Sequence, residues 1–321
     1  MDKETIKKNS ELVFNIEKEV SKVYVGKEAH IRMLFIGLFS GLHVLIEDIP
    51  GVGKTTLAKS VAKSIGLDFG RIQFTPDLLP GDILGMNIWS FEKREFIFKH
   101  GAIMHQFILA DELNRASPRT QASLLEAMQE EQITVDGKTY KLKKPFFVLA
   151  TQNPVTFIGS FLLPEAQVDR FGLTITLGYL PEHEEAQMLE RFQEKDPMTE
   201  ISNVASPEVI EEIRQLVRQV HIDPQIHNYI VQIGQKTRQS RYIKLGLSPR
   251  ALQHLLLASQ TRAFLEQREF VMPEDVIKTS EAVLSHRLVL TSEAKLEDKT
   301  SEIIIRSILN SVPKPTGIKT K

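Results

Sequence analysis

The sequence predicts an α/β domain with a largely parallel sheet flanked by helices and two β-hairpin inserts, followed by a small all-helical domain. Three observations predict it. Short apolar runs at residues 43–46, 71–74, 107–110, 146–150 and 173–177 lie between helical stretches, the pattern of a parallel sheet covered on both faces. The first run leads through a glycine-rich loop into a helix, a strand–loop–helix unit. Beyond Pro181 the strand signals stop, and residues 182–195, 207–220, 225–237, 249–266, 273–291 and 299–311 all carry helical periodicity. The chain thus divides at 1–181 and 182–321.

In chain order, Leu12, Ile16, Val20 and Val23 recur at helical spacing, so residues 4–23 form an amphipathic helix, followed by the turn Val25-Gly26-Lys27. A second helix over 28–40 leads into the strand His43-Val44-Leu45-Ile46. Leu57, Ala58, Val61, Ala62 and Ile65 mark a third helix, which Gly66 stops. Residues 88–98, with Phe96 and Phe98 alternating, and 133–141, with Asp136-Gly137 between apolar positions, read as hairpins projecting from the sheet. Trp89 in the first hairpin is expected to pack against the body, the alternative being a partner contact. Ser248-Pro249 and Met272-Pro273-Glu274 read as helix starts, because proline suits the first helical position. The tail from Pro313 to Lys321 is expected to be loose.

Composition narrows the classes. The 321 residues carry 40 basic and 41 acidic side chains, which argues against a strongly basic nucleic-acid binder or a polybasic membrane anchor. With no cysteine, disulfides and thiolate metal sites are excluded. Residues 1–10 are charged and lack the apolar core of a signal peptide. The longest apolar stretch, 33–46, falls short of the roughly 20 residues that cross a bilayer. The expected location is the cytoplasm, with no membrane insertion. No histidine pair has zinc-protease spacing and no serine sits in a nucleophile-elbow pattern.

The strongest chemical signal is Asp48-Ile49-Pro50-Gly51-Val52-Gly53-Lys54-Thr55, which matches the phosphate-binding pattern G-x-x-x-x-G-K-[ST] except at its first position. Gly51 and Gly53 let backbone N–H groups approach a polyphosphate at the positive end of the next helix. Lys54 would reach the β and γ phosphates and the Thr55 hydroxyl would hold Mg²⁺. Pro50, Val52 and Thr56 complete the expected cofactor-binding stretch. The alternative is a glycine-rich turn with a solvated lysine. At Asp48, a short polar side chain would tolerate the left-handed backbone glycine otherwise supplies, but a carboxylate aimed at the phosphates would weaken binding.

The run Phe107-Ile108-Leu109-Ala110 ends in Asp111-Glu112, at a strand end where ligands sit in such sheets. Asp111 is placed to organise Mg²⁺ and its waters, and Glu112 to polarise the water attacking the γ phosphate. The alternative is an ordinary helix N-terminus. After 146–150, Asn153 in Thr151-Gln152-Asn153-Pro154 could hold that water or a γ-phosphate oxygen, or could merely open a turn.

With these motifs in order, and with Ala110-Asp111-Glu112-Leu113-Asn114-Arg115-Ala116, residues 120–130 and Leu163-Pro164-Glu165-Ala166-Gln167-Val168-Asp169-Arg170-Phe171, the chain resembles the MoxR family of AAA+ ATPases over nearly its whole length. The resemblance implies a P-loop AAA+ nucleotide-binding domain with a helical lid. It matches Lys54 and Thr55 to the Walker A pair, Asp111 and Glu112 to the Walker B pair, and Asn153 to sensor 1. It matches Arg170 to the arginine presented to a neighbouring subunit's nucleotide, Arg250 to the sensor-2 arginine of the lid, and Val25 and Gly26 to the turn bordering adenine. It further implies ATP and Mg²⁺ as cofactors, a homo-oligomeric ring, expected to be a hexamer, and a chaperone-like task on client complexes, including metal-cofactor insertion, with a von Willebrand factor A domain protein as a partner. Family members commonly have glycine where Asp48 stands, and Gly-Thr-Tyr-Pro in place of Gly159-Ser160-Phe161-Leu162. Two rival readings are a nucleotide-switched scaffold with little turnover and a DNA or RNA motor; no nucleic acid is expected.

Overall fold

The computed structural model describes residues 3–153, 161–194 and 197–317, so Pro154, Gly159 and Ser160 of the motifs above lie outside the described residues. Helices α1 (Lys3–Ser21) and α2 (Glu28–Ser40) precede strand β1 (Val44–Glu47) and α3 (Lys54–Ser64). Strand β2 (Phe69–Gln73) leads through the short α4 (Pro80–Leu84) into the hairpin β3 (Gly85–Ser90) and β4 (Glu95–His100), and on to β5 (Phe107–Asp111). Helix α5 (Pro118–Glu130), the hairpin β6 (Gln132–Val135) and β7 (Lys138–Lys141), β8 (Phe147–Gln152), the short α6 (Glu165–Val168) and β9 (Leu173–Ile175) complete the first half.

Strand order is β2-β5-β8-β1-β9 and every neighbouring pair is parallel. Successive side chains on a strand face opposite sides, and here each side meets its own core. Val44, Ile46, Phe107, Leu109, Phe147 and Leu149 pack with the helices α1, α2 and α3. Leu45, Ile108, Ala110, Val148 and Ala150 pack instead with Leu124, Leu125 and Met128 of α5. Each large apolar side chain so buried stabilises by about 1.5–3 kcal/mol, so residues on both faces hold the strand ends in place.

The second half holds α7 (Glu182–Glu194), α8 (Pro207–Val217), α9 (Pro224–Gln239), α10 (Pro249–Leu265), α11 (Pro273–Leu284), α12 (Ser292–Leu296) and α13 (Ser301–Ser311). It packs on the first through α10 and α8 against α2. The expected starts at Pro249 and Pro273 are the observed ones; Ser248 Oγ accepts from the Ala251 N–H at 3.1 Å, a side-chain cap. The helical pattern over 273–291 is cut at Leu284. There the Arg287 guanidinium turns back to donate to the Val283 and Phe171 carbonyls. Val289–Leu290, which we label β11, then pairs antiparallel with β10 (Ile243–Leu245), a ribbon added to the helical lid.

The hairpins differ from expectation in one respect. Trp89 is 46% exposed and meets Phe96 edge to face at 5.2 Å, instead of packing into the body. Phe91 and Phe96 are exposed beside it. The two hairpins touch: Phe98 stacks on Tyr140 at 4.1 Å, and Asn87 donates to Asp136.

His43, at the entry to β1, ties three elements together. Its Nδ1 accepts from the Val148 N–H at 3.0 Å, so Nε2 carries the proton and donates to the Met128 carbonyl at 3.0 Å. Burial, outweighing the Met128 bond, pushes its pKa down from 6.5 to about 4. The unfolded chain therefore binds a proton at His43 that the native state refuses, and stability falls as pH drops from 6.5 towards 4. At pH 5 this histidine alone costs up to about 2 kcal/mol relative to pH 7.5. His254, pushed down to about 3 by burial and by Arg287, adds to the same trend. Melting temperature measured from pH 7.5 to 5 should fall steadily; a flat profile would contradict this account.

Candidate nucleotide-binding site

The five strands run parallel, so their carboxyl ends gather on one rim, where the loops after β1, β5 and β8 meet. Gly51 and Gly53 adopt left-handed φ of 87° and 83°, a conformation that a side chain would strain, and Gly53 caps the N-terminus of α3. A cavity of about 240 Å³ is lined by Pro50, Gly51, Gly53, Lys54, Thr55, Thr56, Arg71, Asp111, Glu112 and Asn153. The structure thus brings the two glycines, the lysine and both threonines together with the two carboxylates and the asparagine. A second, more apolar cavity of about 360 Å³ shares Pro50, Gly51, Gly53 and Thr56 and adds Tyr24, Val25, Val52, Tyr179 and Met188, among others. An anion cradle at a helix N-terminus thus opens into a slot suited to a flat, largely apolar ring. Gly26 does not line the slot; a Cβ there would sit 2.8 Å from the Tyr24 ring, so glycine lets the tyrosine close the wall.

Lys54 Nζ donates to the Asp48 carbonyl at 2.7 Å. Burial lowers its pKa from the ordinary lysine value, while Asp48, Asp111 and Glu112 pull the other way. Asp48 answers the question raised by its departure from glycine. It is not among the residues with positive φ, so the left-handed conformation expected for it is not adopted and glycine is not required. Its carboxylate turns away from the cavity: Oδ2 accepts from the Leu177 and Gly178 N–H groups, both at 2.7 Å, and Oδ1 from the Ile49 N–H at 2.8 Å. The residue is 5% exposed. Asp48→Ala leaves three enclosed donors without that acceptor and should lower stability by roughly 3 kcal/mol. It should not tighten nucleotide binding, because the charge it removes does not face the phosphates. Urea unfolding and ADP titration check both halves.

The carboxylate pair is held tightly. Asp111 Oδ1 accepts from Thr151 Oγ1 at 2.7 Å, and the same hydroxyl accepts from the Glu112 N–H at 2.8 Å. Glu112 has φ 56° and ψ 47°, a left-handed backbone that is strained for a residue with a side chain. Its carboxylate accepts from Gln73 Nε2 at 2.7 Å and pairs with Arg115 at 3.2 Å. Arg71 pairs with Asp111 Oδ2 at 2.6 Å. Asn114, 3% exposed, donates to the Asn153 carbonyl at 3.0 Å and so fixes the end of β8.

Two expected residues lie elsewhere. Arg250 does not line either cavity; its guanidinium stands 3.6 Å from Asp169. Asp169 also accepts from Arg287 Nε at 3.0 Å and from Ser248. Arg170 is half-buried beside this cluster and forms no ion pair among the described residues. Sequence reasoning missed Arg71, Gln73, Tyr24, Tyr179 and Arg287. For the first two a signal existed: polar side chains at alternate positions at the end of an otherwise apolar strand.

This fold and this rim define an AAA+ ATPase. Residues 43–173 match the ATPase family associated with various cellular activities, and residues 235–308 match an AAA lid domain. A Bacillus subtilis protein known only as YeaC is 44% identical over 93% of each chain. Chaperone MoxR1 of Mycobacterium tuberculosis is 36% identical over 92% of this chain and 81% of its own. A solved structure from Cytophaga hutchinsonii, assigned as an ATPase, superposes with a TM-score of 0.91 at 38% identity, covering 98% of each chain. The chain belongs to the MoxR family of AAA+ ATPases.

Proposed function

We propose that the protein is a Mg²⁺-dependent ATP phosphohydrolase that works as a homo-oligomeric ring, with a chaperone-like role in assembling or activating client complexes. The observation that carries the reading is the single rim holding the amide cradle, Lys54, Asp111, Glu112 and Asn153, continuous with an apolar slot. We take 1–181 as the nucleotide domain and 182–321 as the lid. ATP would lie with adenine between Val25, Val52 and Tyr179 and its phosphates on Gly51–Thr56.

The donors present suit a hard divalent cation. Thr55 and Asp111 offer oxygen ligands, and Mg²⁺ needs only one or two protein oxygens beside phosphate and water; a guanidinium already stands where a cation would balance Asp111. Thr55 and Asp111 would hold the ion, which would supply charge neutralisation to the phosphates. Lys54 leaves the Asp48 carbonyl to meet the phosphate oxygens. Glu112 polarises the attacking water, which Asn153 holds in line. Arg250 moves from Asp169 to the γ phosphate as the lid closes, and Arg170 reaches the nucleotide of the adjoining subunit.

A ring of six, a cytosolic location, and a von Willebrand factor A domain protein as partner are consistent with this role, as is metal-cofactor insertion. The name chaperone borne by the mycobacterial relative supports client work. No helix among the described residues is long and apolar enough to cross a membrane. The exposed Trp89, Phe91 and Phe96 support the first hairpin as a surface through which lid motion would reach a client. ATP turnover against protein concentration tests the reading: specific activity should rise with concentration as subunits assemble. Constant specific activity would contradict a site shared between subunits.

A further inference from the structure

Arg71 belongs to none of the nucleotide motifs, yet it reaches the phosphate cavity. Register explains how. In the parallel pair of β2 and β5, Arg71 lies opposite Leu109 and Gln73 opposite Asp111. Residues two apart on a strand share a face, so Arg71 and Gln73 both point to the side where the carboxylates sit. One nitrogen, Arg71 Nη2, donates to Asp111 Oδ2 at 2.6 Å and to Gln73 Oε1 at 2.7 Å. Thr151 fills the other Asp111 oxygen. The carboxylate that would organise the metal therefore has both oxygens engaged, one of them by a guanidinium.

We propose that Arg71 is a positioning residue: it is the resident counter-cation of Asp111 in the nucleotide-free site and is exchanged for the divalent cation that enters with the nucleotide. This rests on the ATPase reading above. Two cations at one carboxylate oxygen repel, and the Arg71 side chain, 46% exposed, has solvent into which it can swing. Its departure frees Gln73 Oε1 as well, while Gln73 Nε2 and Arg115 both continue to hold Glu112 Oε2.

The test is ADP binding with Mg²⁺ and in EDTA for wild type, Arg71→Gln and Arg71→Lys, together with nucleotide-free melting curves. With no pair to break, Arg71→Gln should bind Mg²⁺·ADP about tenfold more tightly than wild type, the scale of one charged hydrogen bond. Its affinity in EDTA should not rise. Without nucleotide it should melt below wild type, and saturating Mg²⁺·ADP should close that gap. Arg71→Lys keeps the charge and should stay near wild type in both buffers. Unchanged Mg²⁺·ADP binding by Arg71→Gln would overturn the exchange, and weaker binding would overturn it and assign Arg71 to the phosphates. Wild type that binds no ADP in either buffer would instead overturn the ATPase reading itself.

Discussion

Arg170→Ala is expected to lower ATP turnover by about 10³-fold or more while leaving ATP binding to the subunit's own cavity intact. A guanidinium that meets the transferring phosphoryl group contributes about 10³ to 10⁵ in rate in other phosphate-hydrolysing systems. Arg170 suits such a role towards a neighbour. It lines neither of the two cavities described above and forms no ion pair among the described residues. The adjoining Asp169 is clamped by Arg287, Ser248 and Arg250, so the lid steadies the segment that presents it. Turnover and fluorescent-nucleotide binding measured on one preparation separate the two effects.

Glu112→Gln should lose turnover by about 10² to 10⁴, the usual contribution of a positioned general base, and should trap ATP uncleaved. The amide is nearly isosteric, keeps the strained backbone in place and can still accept from Gln73, so folding and binding should survive. A mixture of the two variants gives the decisive result. An Arg170→Ala subunit retains Glu112, and a Glu112→Gln subunit retains Arg170. Where the two adjoin in the right order, one complete site forms. Mixing two inactive preparations should restore a measurable fraction of turnover. No recovery, in a mixture shown to co-assemble, would place both groups in one subunit's site.

Much of this was legible in the sequence because it is contiguous there. The segment from Asp48 to Thr55 carries its own geometry: two glycines with left-handed φ and a lysine opening a helix. Asp111 and Glu112 close an apolar strand, and Pro249 and Pro273 open helices as their fixed φ requires. Periodicity found α2 at its observed ends, 28–40. It overran at 273–291, since local spacing cannot register that Arg287 would turn back onto Phe171, which is 116 positions away in sequence.

What the chain determined by itself is the set of elements and the chemistry of the loops that join them, since helix and strand periods, turn residues and phosphate-loop spacing act over a few neighbours. Only the tertiary structure decided that β8 lies between β5 and β1, and so that Thr151 bonds Asp111 and positions the Glu112 N–H. It decided that the Asp48 carboxylate faces Leu177 and Gly178, not the phosphates, and that Arg71 stands against Asp111. These pairings join residues 39 to 130 positions apart. Their directions follow from strand register and burial on two faces, which no local stretch of sequence contains.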